Sequence, residues 1–386
     1  MIYLDHAATS FPKPEQVYRG MDAFVRSAGA NPGRAGHRLA VEAEAMIAET
    51  RGLLARLFGC PRHEQVVFCL NASDALNMAI KGTLRPGDHA ITSVLEHNSI
   101  SRPLNRMERD GTITLTRLPA TADHLIDPDA VARAMTSKTR LVALTHASNV
   151  TGTIQPVAEI GRLVRKRDAL FLVDAAQSAG VVPIDVERDA IDLLAFTGHK
   201  GLLGPTGTGG LVVGDRATVR AWREGGTGGD STNPVQPEEL PHRLEGGTPN
   251  VFGIAGLREG VRWVLARGPE SIAAHERGLL KIFLEEVGDL GRFRWYGAER
   301  TFTERDGAGR VGLIAFNLPA MTSSDLASTL DTRHGVAVRA GLHCAPYAHR
   351  HLGTFPQGAA RVSVGALTSP DEVRQAARAL QEIARQ

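Results

Sequence analysis

This chain has little of what several classes of protein depend on. Only three of its 386 residues are cysteines (Cys60, Cys69 and Cys344), so no paired-cysteine framework is available, which fits a reducing compartment such as the cytoplasm. Aromatic residues make up only 5% of the chain, and 44 basic residues nearly balance 42 acidic ones. Without a basic block or a basic stripe interleaved with aromatic residues, nucleic acid is not an expected partner.

Long apolar runs are missing too. No uninterrupted stretch approaches the roughly 18 residues that a membrane span requires, and the N-terminus lacks the positive region and apolar core of a signal peptide. We therefore expect a cytoplasmic protein without a membrane partner. What is present, 42% hydrophobic residues and 41 glycines, is typical of an α/β protein, and a chain of this length favours two domains.

The first two thirds of the chain alternate apolar strand-like runs with helical patterns. Residues 65–70, 140–145 and 169–173 are near-continuous apolar runs, as in parallel strands buried on both faces. Residues 73–81 and 157–166 have apolar positions at helical spacing. This alternation predicts a mainly parallel sheet, with ligands beyond the carboxyl ends of its strands.

The pattern changes near residue 261. The remaining segments predict a smaller α+β domain, with helices at 270–286, 323–332 and 370–385 and strands at 311–317, 336–339 and 361–364. We expect three parts: an N-terminal segment (1–14) that packs near the small domain and the active site, a large domain (15–260) and a small C-terminal domain (261–386).

Two predicted strand ends carry chemically informative residues. Lys200 follows a strand in a glycine-containing segment with Thr197 and His199, whose side chains suit an anion such as phosphate. A lysine there could be a solvated surface group or could form a Schiff base. Asp174 could cap the next turn, or it could pair with a protonated ring nitrogen of a cofactor. Their combination favours a cofactor site.

The segment from Arg339 to Cys344 places a thiol beside one histidine and near an arginine. Basic neighbours favour the thiolate, which is the nucleophilic form of cysteine. His343, Cys344, His349 and His351 also lie close enough in sequence to suggest a metal site. That spacing matches no zinc motif, and metal binding would leave the lysine and the aspartate unexplained.

Two other motifs bear on the choice of cofactor. The glycine-rich residues 204–210 precede a strand instead of following one, so the dinucleotide-binding signature fails, and no Walker pattern is present. His97 follows an apolar run and could be structural, could stack on an aromatic cofactor or could shuttle protons.

Six motifs, in this order along the chain, resemble those of pyridoxal-phosphate-dependent cysteine desulfurases. They are Glu96-His97-Asn98, Ser148-Asn149-Val150-Thr151-Gly152, Asp174-Ala175-Ala176-Gln177, Thr197-Gly198-His199-Lys200, Gly246-Gly247-Thr248-Pro249-Asn250 and Arg339-Ala340-Gly341-Leu342-His343-Cys344. The likeness is to the branch of the class V aminotransferase superfamily that is related to selenocysteine lyases, and it covers essentially the whole chain. It implies a fold type I pyridoxal-phosphate-dependent transferase. In that fold a large domain with a mainly parallel sheet binds the cofactor, and a smaller α+β C-terminal domain carries Cys344.

The resemblance also implies how the cofactor is held. Lys200 would bind it covalently and move protons on the substrate, Asp174 would pair with its pyridine nitrogen, and Gln177 would contact its phenolic oxygen. His97 would stack on the ring. The implied phosphate-binding residues are Ala72, Ser73, Thr197, His199 and, from the other subunit of a homodimer, Thr248. Ala72 lacks the hydroxyl that relatives have there, so we expect Thr197 and His199 to contribute more.

The implied reaction converts L-cysteine to L-alanine. Asn149 and Arg361 would bind the substrate carboxylate, the arginine in a bidentate manner, and Cys344 would take the sulfur as a persulfide for transfer to an acceptor protein. Selenocysteine lyase, with L-selenocysteine as the substrate, another C–S lyase, an epimerase and another class V aminotransferase remain alternatives. A catalytically inactive sulfur-carrier scaffold is a further alternative, although it would need none of these residues. Leu342 departs from the pattern, because related desulfurases often have a second histidine there.

Overall fold

The structure is a computed structural model that describes residues 1–32, 36–228, 232–288, 290–297 and 309–385. Its helices are α1 (Glu15–Ala28), α2 (Arg38–Leu57), α3 (Ala72–Thr83), α4 (Asn98–Arg109), α5 (Pro128–Ala134), α6 (Val157–Arg165), α7 (Val251–Arg267), α8 (Pro269–Val287), α9 (Ser323–His334), α10 (Pro346–His351) and α11 (Pro370–Arg385). Its strands are β1 (Ile2–Tyr3), β2 (Val66–Cys69), β3 (His89–Ser93), β4 (Thr114–Leu118), β5 (Thr139–Thr145), β6 (Leu170–Asp174), β7 (Leu193–Thr197), β8 (Gly209–Val213), β9 (Arg294–Tyr296), β10 (Leu313–Asn317), β11 (Val336–Ala337), β12 (Arg339–Gly341) and β13 (Ala359–Ser363). Across these described ranges, no helix has both the length and the apolar character that crossing a membrane requires.

A seven-stranded sheet occupies the centre of the larger part of the molecule. Its strand order is β2-β8-β7-β6-β5-β3-β4, and only β8 runs antiparallel to its neighbours. Strands β6 and β7 are buried along their whole length. Helices cover both faces of such a strand, so its sequence is a continuous apolar run, which is why the sequence reveals it. The predicted α/β fold with a mainly parallel sheet is confirmed.

A four-stranded antiparallel sheet lies in the C-terminal part of the chain. Its order is β12-β13-β10-β9, and a separate apolar core joins β10 and β13 with helices α8, α9 and α11. The prediction of one strand over residues 336–339 is wrong. Val336–Ala337 pairs in parallel with β1, whereas Arg339–Gly341 pairs with β13, so the segment contributes to two different sheets.

The strand ends bring the functional candidates together. Thr145, Asp174 and Thr197 end the adjacent parallel strands β5, β6 and β7, and Thr145 lies opposite Asp174 in the register. In the smaller sheet Arg339 lies opposite Arg361. Residues of both sheets line one cleft, so the fold itself creates a site between its two parts.

Candidate active site

A cleft of about 280 Å³ lies between the carboxyl edge of the central sheet and the strands β12 and β13. Every residue that the sequence selected for the site except Thr248 lines this cleft: Ala72, Ser73, His97, Asn149, Asp174, Gln177, Thr197, His199, Lys200, Cys344 and Arg361. Residues as far apart in the chain as Ala72 and Arg361 therefore meet in one space. A cleft of mixed polarity with several titratable groups is the usual form of an active site.

Lys200 and Asp174 form an electrostatic pair at the central sheet. Burial raises the pKa of Asp174, and this effect is opposed by the backbone N–H of Ala176, which donates to Asp174 Oδ1 at 2.9 Å, and by the charge of Lys200. Burial lowers the pKa of Lys200 to about 8; Asp174 opposes this shift, while Arg361 and Arg339 reinforce it. A lysine with a lowered pKa provides more of the neutral amine that attacks carbonyl carbons.

The ring of His97 lies at the start of α4, where its Nδ1 accepts the backbone N–H of Ser99 at 3.1 Å. Burial, followed by the positive charges of Lys200 and three arginines, lowers the pKa of His97 to about 4. The ring is therefore neutral near pH 7, with Nδ1 unprotonated. A neutral aromatic ring lining the cleft can stack on a planar group.

Ser99 is a residue that the sequence reasoning missed. Its hydroxyl oxygen lies 2.9 Å from His97 Nδ1 and 2.5 Å from the hydroxyl oxygen of Ser73, and Ser99 also lines the cleft. The available signal was a serine two positions after a histidine at a strand end. Only the tertiary structure brings Ser73 beside it, from another helix.

The N-terminal turn of α3 forms one end of the cleft and suits an anion. Asn71 caps this helix by accepting the backbone N–H of Asp74 at 3.0 Å, and Ala72 and Ser73 follow in the first turn. Backbone N–H groups at a helix N-terminus attract negative charge. Across the cleft, Nδ1 of His199 is buried and has no hydrogen-bond partner among the described residues.

Close packing around Gly198 positions His199. A Cβ atom at Gly198 would lie 2.1 Å from Oγ1 of Thr208, so only glycine fits between Thr197 and His199. The carbonyl oxygen of His199 accepts the backbone N–H and the hydroxyl of Ser10, each at 3.0 Å. The N-terminal segment thus holds the turn that carries Thr197, His199 and Lys200.

Arg361 is 1% exposed and is held from two sides. Its Nη1 donates to the carbonyl oxygen of Asn149 at 2.9 Å, and its Nη2 pairs with Asp5 Oδ1 at 2.8 Å. Among the described residues its Nε has no partner. A guanidinium that is oriented in this way and has an unused donor suits a carboxylate ligand.

The structure assigns Asn149 a contact that its sequence position did not reveal. Its side-chain amide donates to the carbonyl oxygen of His343 at 2.7 Å, so it holds the cysteine segment as well as lining the cleft. Arg339, which lies opposite Arg361 across the β12–β13 pair, also lines the cleft. It is a second cation for an anionic ligand, and the sequence reasoning considered it only as a neighbour of the thiol.

Cys344 is exposed, in contrast to the buried Cys60 and Cys69. His343 and Cys344 both have positive φ angles, of 47° and 57°, a conformation that non-glycine residues seldom adopt. The carbonyl oxygen of Cys344 accepts the backbone N–H of Asn98 at 2.7 Å. A contact with the larger part of the molecule therefore holds the thiol at the cleft.

Of the two basic neighbours of Cys344, it is Arg339 that approaches the sulfur. Its Nη2 lies 3.9 Å from Cys344 Sγ. The ring of His343 instead stacks on His349, with Nδ1 3.3 Å from His349 Nε2, and burial lowers the pKa of His343 to about 2. His343 is therefore neutral at physiological pH and does not place a positive charge beside the thiol.

The three histidines of the suggested metal site do not come together. His343 pairs with His349, whereas Nε2 of His351 lies 3.3 Å from Nδ1 of His124. Within the described ranges no three metal-ligating side chains converge. In the part of the chain that the structure covers, the suggested ligands therefore do not form a metal-binding cluster.

Thr248 is the one candidate outside the cleft. It lines a separate cavity of about 530 Å³ together with residues that include Arg51 and Pro241. Its phosphate-binding role requires a second subunit and stays a prediction.

Three comparisons place these observations among known proteins. The aminotransferase class-V family model matches residues 2–375. A probable cysteine desulfurase of Methanothermobacter thermautotrophicus is 34% identical over 391 residues, covering 99% of this chain and 94% of the relative. A cysteine desulfurase of Salmonella dublin is 34% identical over 355 residues, covering 89% of this chain and 84% of the relative. The apo structure of a cysteine desulfurase from Thermococcus onnurineus NA1 has a TM-score of 0.91 at 32% identity, covering 100% of this chain and 94% of that one.

Proposed function

The chain belongs to the class-V aminotransferase family, and within it we propose that this protein is a pyridoxal-phosphate-dependent cysteine desulfurase. It converts L-cysteine to L-alanine and carries the sulfur on Cys344. The observation that carries the proposal is the presence of Lys200 and Cys344 in one cleft, one from the central sheet and one from beside the smaller sheet. The related desulfurases from three organisms support this choice of activity.

The residues of the cleft fit pyridoxal phosphate. The first turn of α3, Thr197 and the unpartnered Nδ1 of His199 suit its phosphate, and Asp174 suits a protonated pyridine nitrogen. The side-chain amide of Gln177 donates to the carbonyl oxygen of Ala7 at 3.0 Å, which holds the side chain at the cleft, where it would contact the phenolic oxygen of the cofactor. When bound, the cofactor serves as an electron sink for bonds at the substrate α-carbon.

Lys200 would move protons at the substrate, and His97 would stack on the cofactor ring. With a pKa of about 8, the Lys200 amine exists in both protonation states near neutral pH and can take or return a proton at the substrate carbons. His97 is neutral, so it would stack on the cofactor ring without adding a charge. The charge of Lys200 and the backbone N–H of Ala176 both favour the carboxylate form of Asp174, against the effect of burial on its pKa.

Arg361 binds the substrate carboxylate, with Arg339 as a second cation on the same side of the cleft. Sγ of Cys344 attacks the substrate sulfur, so that an S–S bond forms as the C–S bond breaks. The β-carbon keeps the electron pair of the broken bond and takes up a proton, which gives alanine. The persulfide remains on Cys344, which is exposed and can pass its sulfur to an acceptor protein.

A cysteine-to-alanine substitution tests this assignment. Cys344→Ala should keep the yellow colour of the bound cofactor and lose alanine formation from L-cysteine, because only the sulfur acceptor is missing. Lys200→Ala is the matched control and should lose the covalently held cofactor as well. Full activity of Cys344→Ala on L-cysteine would contradict the proposed mechanism.

Turnover of L-selenocysteine, measured in wild type and in Cys344→Ala, distinguishes the selenocysteine lyase alternative. Equal turnover of L-selenocysteine in both proteins, without turnover of L-cysteine in the wild type, would favour that alternative.

We also propose a homodimer in which Thr248 completes the phosphate site of the second subunit. Support comes from its position away from the cleft of its own chain. A cytoplasmic location is part of the same proposal, and it is supported by the unpaired state of Cys60, Cys69 and Cys344.

A further inference from the structure

Ser99 connects Ser73, at the proposed phosphate end of the cleft, with His97, which would stack on the cofactor ring. Its Oγ lies 2.5 Å from Ser73 Oγ and 2.9 Å from His97 Nδ1. The three side chains come from the starts of α3 and α4, and all three line the cleft. A continuous hydrogen-bonded chain therefore runs from the N-terminus of α3 to the ring of His97.

The proton positions in this chain follow from His97. Its Nδ1 already accepts the backbone N–H of Ser99 at 3.1 Å, so this nitrogen carries no proton in the neutral ring. The Ser99 hydroxyl then serves as a donor to Nδ1, and its oxygen accepts the hydroxyl proton of Ser73. Consequently the single hydroxyl proton of Ser73 points away from any anion, and the oxygen presents only lone pairs.

An anion at the first turn of α3 reverses this arrangement. To bind it, Ser73 must turn its proton toward the anion, and its oxygen then accepts the hydroxyl proton of Ser99. Ser99 has no second hydroxyl proton to give to His97. The neutral ring thereby loses one of the two hydrogen bonds that stabilised it over its charged form.

We propose that Ser99 is a positioning residue that couples Ser73, at the phosphate end of the site, to the ring of His97. This inference rests on the proposed cofactor site. An anion held by Ser73 withdraws the Ser99 hydroxyl proton from Nδ1 of His97 and so makes this ring a better proton acceptor. The ring that stacks on the cofactor is then most basic when the phosphate is in place.

Other charged groups also face His97. Four of them lower its pKa after burial, which is the largest cause, and they are Lys200 after β7, Arg339 on β12, Arg102 on α4 and Arg361 on β13. None of them contacts Ser99 through a hydrogen bond among those described. Their effect is common to wild type and to variants at Ser99, so a difference between these proteins isolates the hydroxyl chain.

The test uses the full-length protein freed of cofactor, with sulfate as the probe, because sulfate stays a dianion across the pH range. Nuclear magnetic resonance (NMR) of His97 should show that sulfate raises its pKa by about one unit more in wild type than in Ser99→Ala. In the variant only the charge of sulfate acts on the ring. By reciprocity, protonation of His97 should increase the affinity for sulfate by a factor that is about tenfold larger in wild type than in Ser99→Ala.

Two further variants make the result specific. Ser99→Thr keeps the hydroxyl and should behave as wild type, and Ser101→Ala, on the same helix, should leave the coupling unchanged. If acid unfolds the protein before His97 titrates, the ¹⁵N shift of Nδ1 at pH 7 reports the same lost hydrogen bond on adding sulfate. Equal sulfate responses in wild type and Ser99→Ala, or a Ser99→Thr that behaves like the alanine variant, would overturn the coupling.

Ser73→Ala separates this inference from the proposed function. Weakened binding of sulfate and of pyridoxal phosphate in this variant supports the anion site at α3. If wild type binds neither, the assignment of the phosphate site fails and the coupling fails with it. If both bind normally to wild type but Ser99→Ala responds as wild type does, only the coupling fails.

Discussion

The ion pair between Asp5 and Arg361 connects the N-terminal segment to the cleft, and its loss has a calculable effect. Asp5 Oδ1 lies 2.8 Å from Arg361 Nη2, where the arginine side chain is 1% exposed and the aspartate side chain 21% exposed. Asp5→Asn removes the negative charge and leaves the buried guanidinium with neutral acceptors only, the carbonyl oxygen of Asn149 and the new side-chain amide oxygen.

The magnitude follows from burial. Breaking a fully buried ion pair by removing one partner costs about 3–5 kcal/mol. Asp5 is partly exposed, so water already screens part of its charge, and the asparagine oxygen can still accept a hydrogen bond. We therefore expect the free energy of unfolding to fall by about 2 kcal/mol.

A matched control is available in the same chain. Asp371 pairs with Arg374 at 2.9 Å, but these side chains are 85% and 42% exposed. Asp371→Asn should lower the free energy of unfolding by less than about 0.5 kcal/mol. Urea unfolding of the cofactor-free proteins measures both values, with the dependence on urea concentration unchanged.

The same variant tests whether Asp5 orients Arg361 for the substrate. A guanidinium that has lost its charged partner is held less firmly and should bind the substrate carboxylate less well, so the KM for L-cysteine should rise about tenfold while kcat changes little. The reasoning is refuted if Asp5→Asn is no less stable than Asp371→Asn and has an unchanged KM.

Three further outcomes follow from other contacts. His349→Ala removes the ring on which His343 stacks, so kcat for L-cysteine should fall about tenfold with little change in KM, as measured by steady-state kinetics. Burial raises the pKa of Glu276 to about 8, above its value in the unfolded chain. The contribution of this carboxyl to stability is therefore present in acid and is lost as pH rises through about 8. Thermal unfolding should show that Glu276→Gln stabilises the protein at about pH 9 and changes its stability little at about pH 4. Gly198→Ala would place a Cβ atom 2.1 Å from Thr208 Oγ1, and absorbance titration should show weaker binding of pyridoxal phosphate because the turn before His199 must shift.

Several elements could be predicted from local sequence because each has a pattern that is independent of the rest of the chain. The helix at 370–385 coincides with α11, and the apolar run at 140–145 with all but the first residue of β5. The strand at 336–339 could not be predicted in this way. Its two ends have different partners, β1 and β13, and strand partners are set by the tertiary structure.

The candidate site shows the same division. The residue types and their order predicted a lysine, an aspartate and a thiol in one site, and the structure brings all three to one cleft. The states of the groups could not be predicted. His343 lies beside Cys344 in sequence but is neutral and stacked on His349, while Arg339, five positions away, approaches the sulfur.

The sequence by itself predicted the fold class from its periodicity, and the resemblance of its motifs named the candidate reactive groups, because periodicity and motifs are local properties. The tertiary structure alone decided which groups meet and in which protonation state. Burial sets the lowered pKa of Lys200 and the neutrality of His97, and chain segments far apart in sequence supply both the burial and the neighbouring charges. For the same reason the proposed role of Ser99 depends on the packing of α3 against α4, which places its hydroxyl between Ser73 and His97.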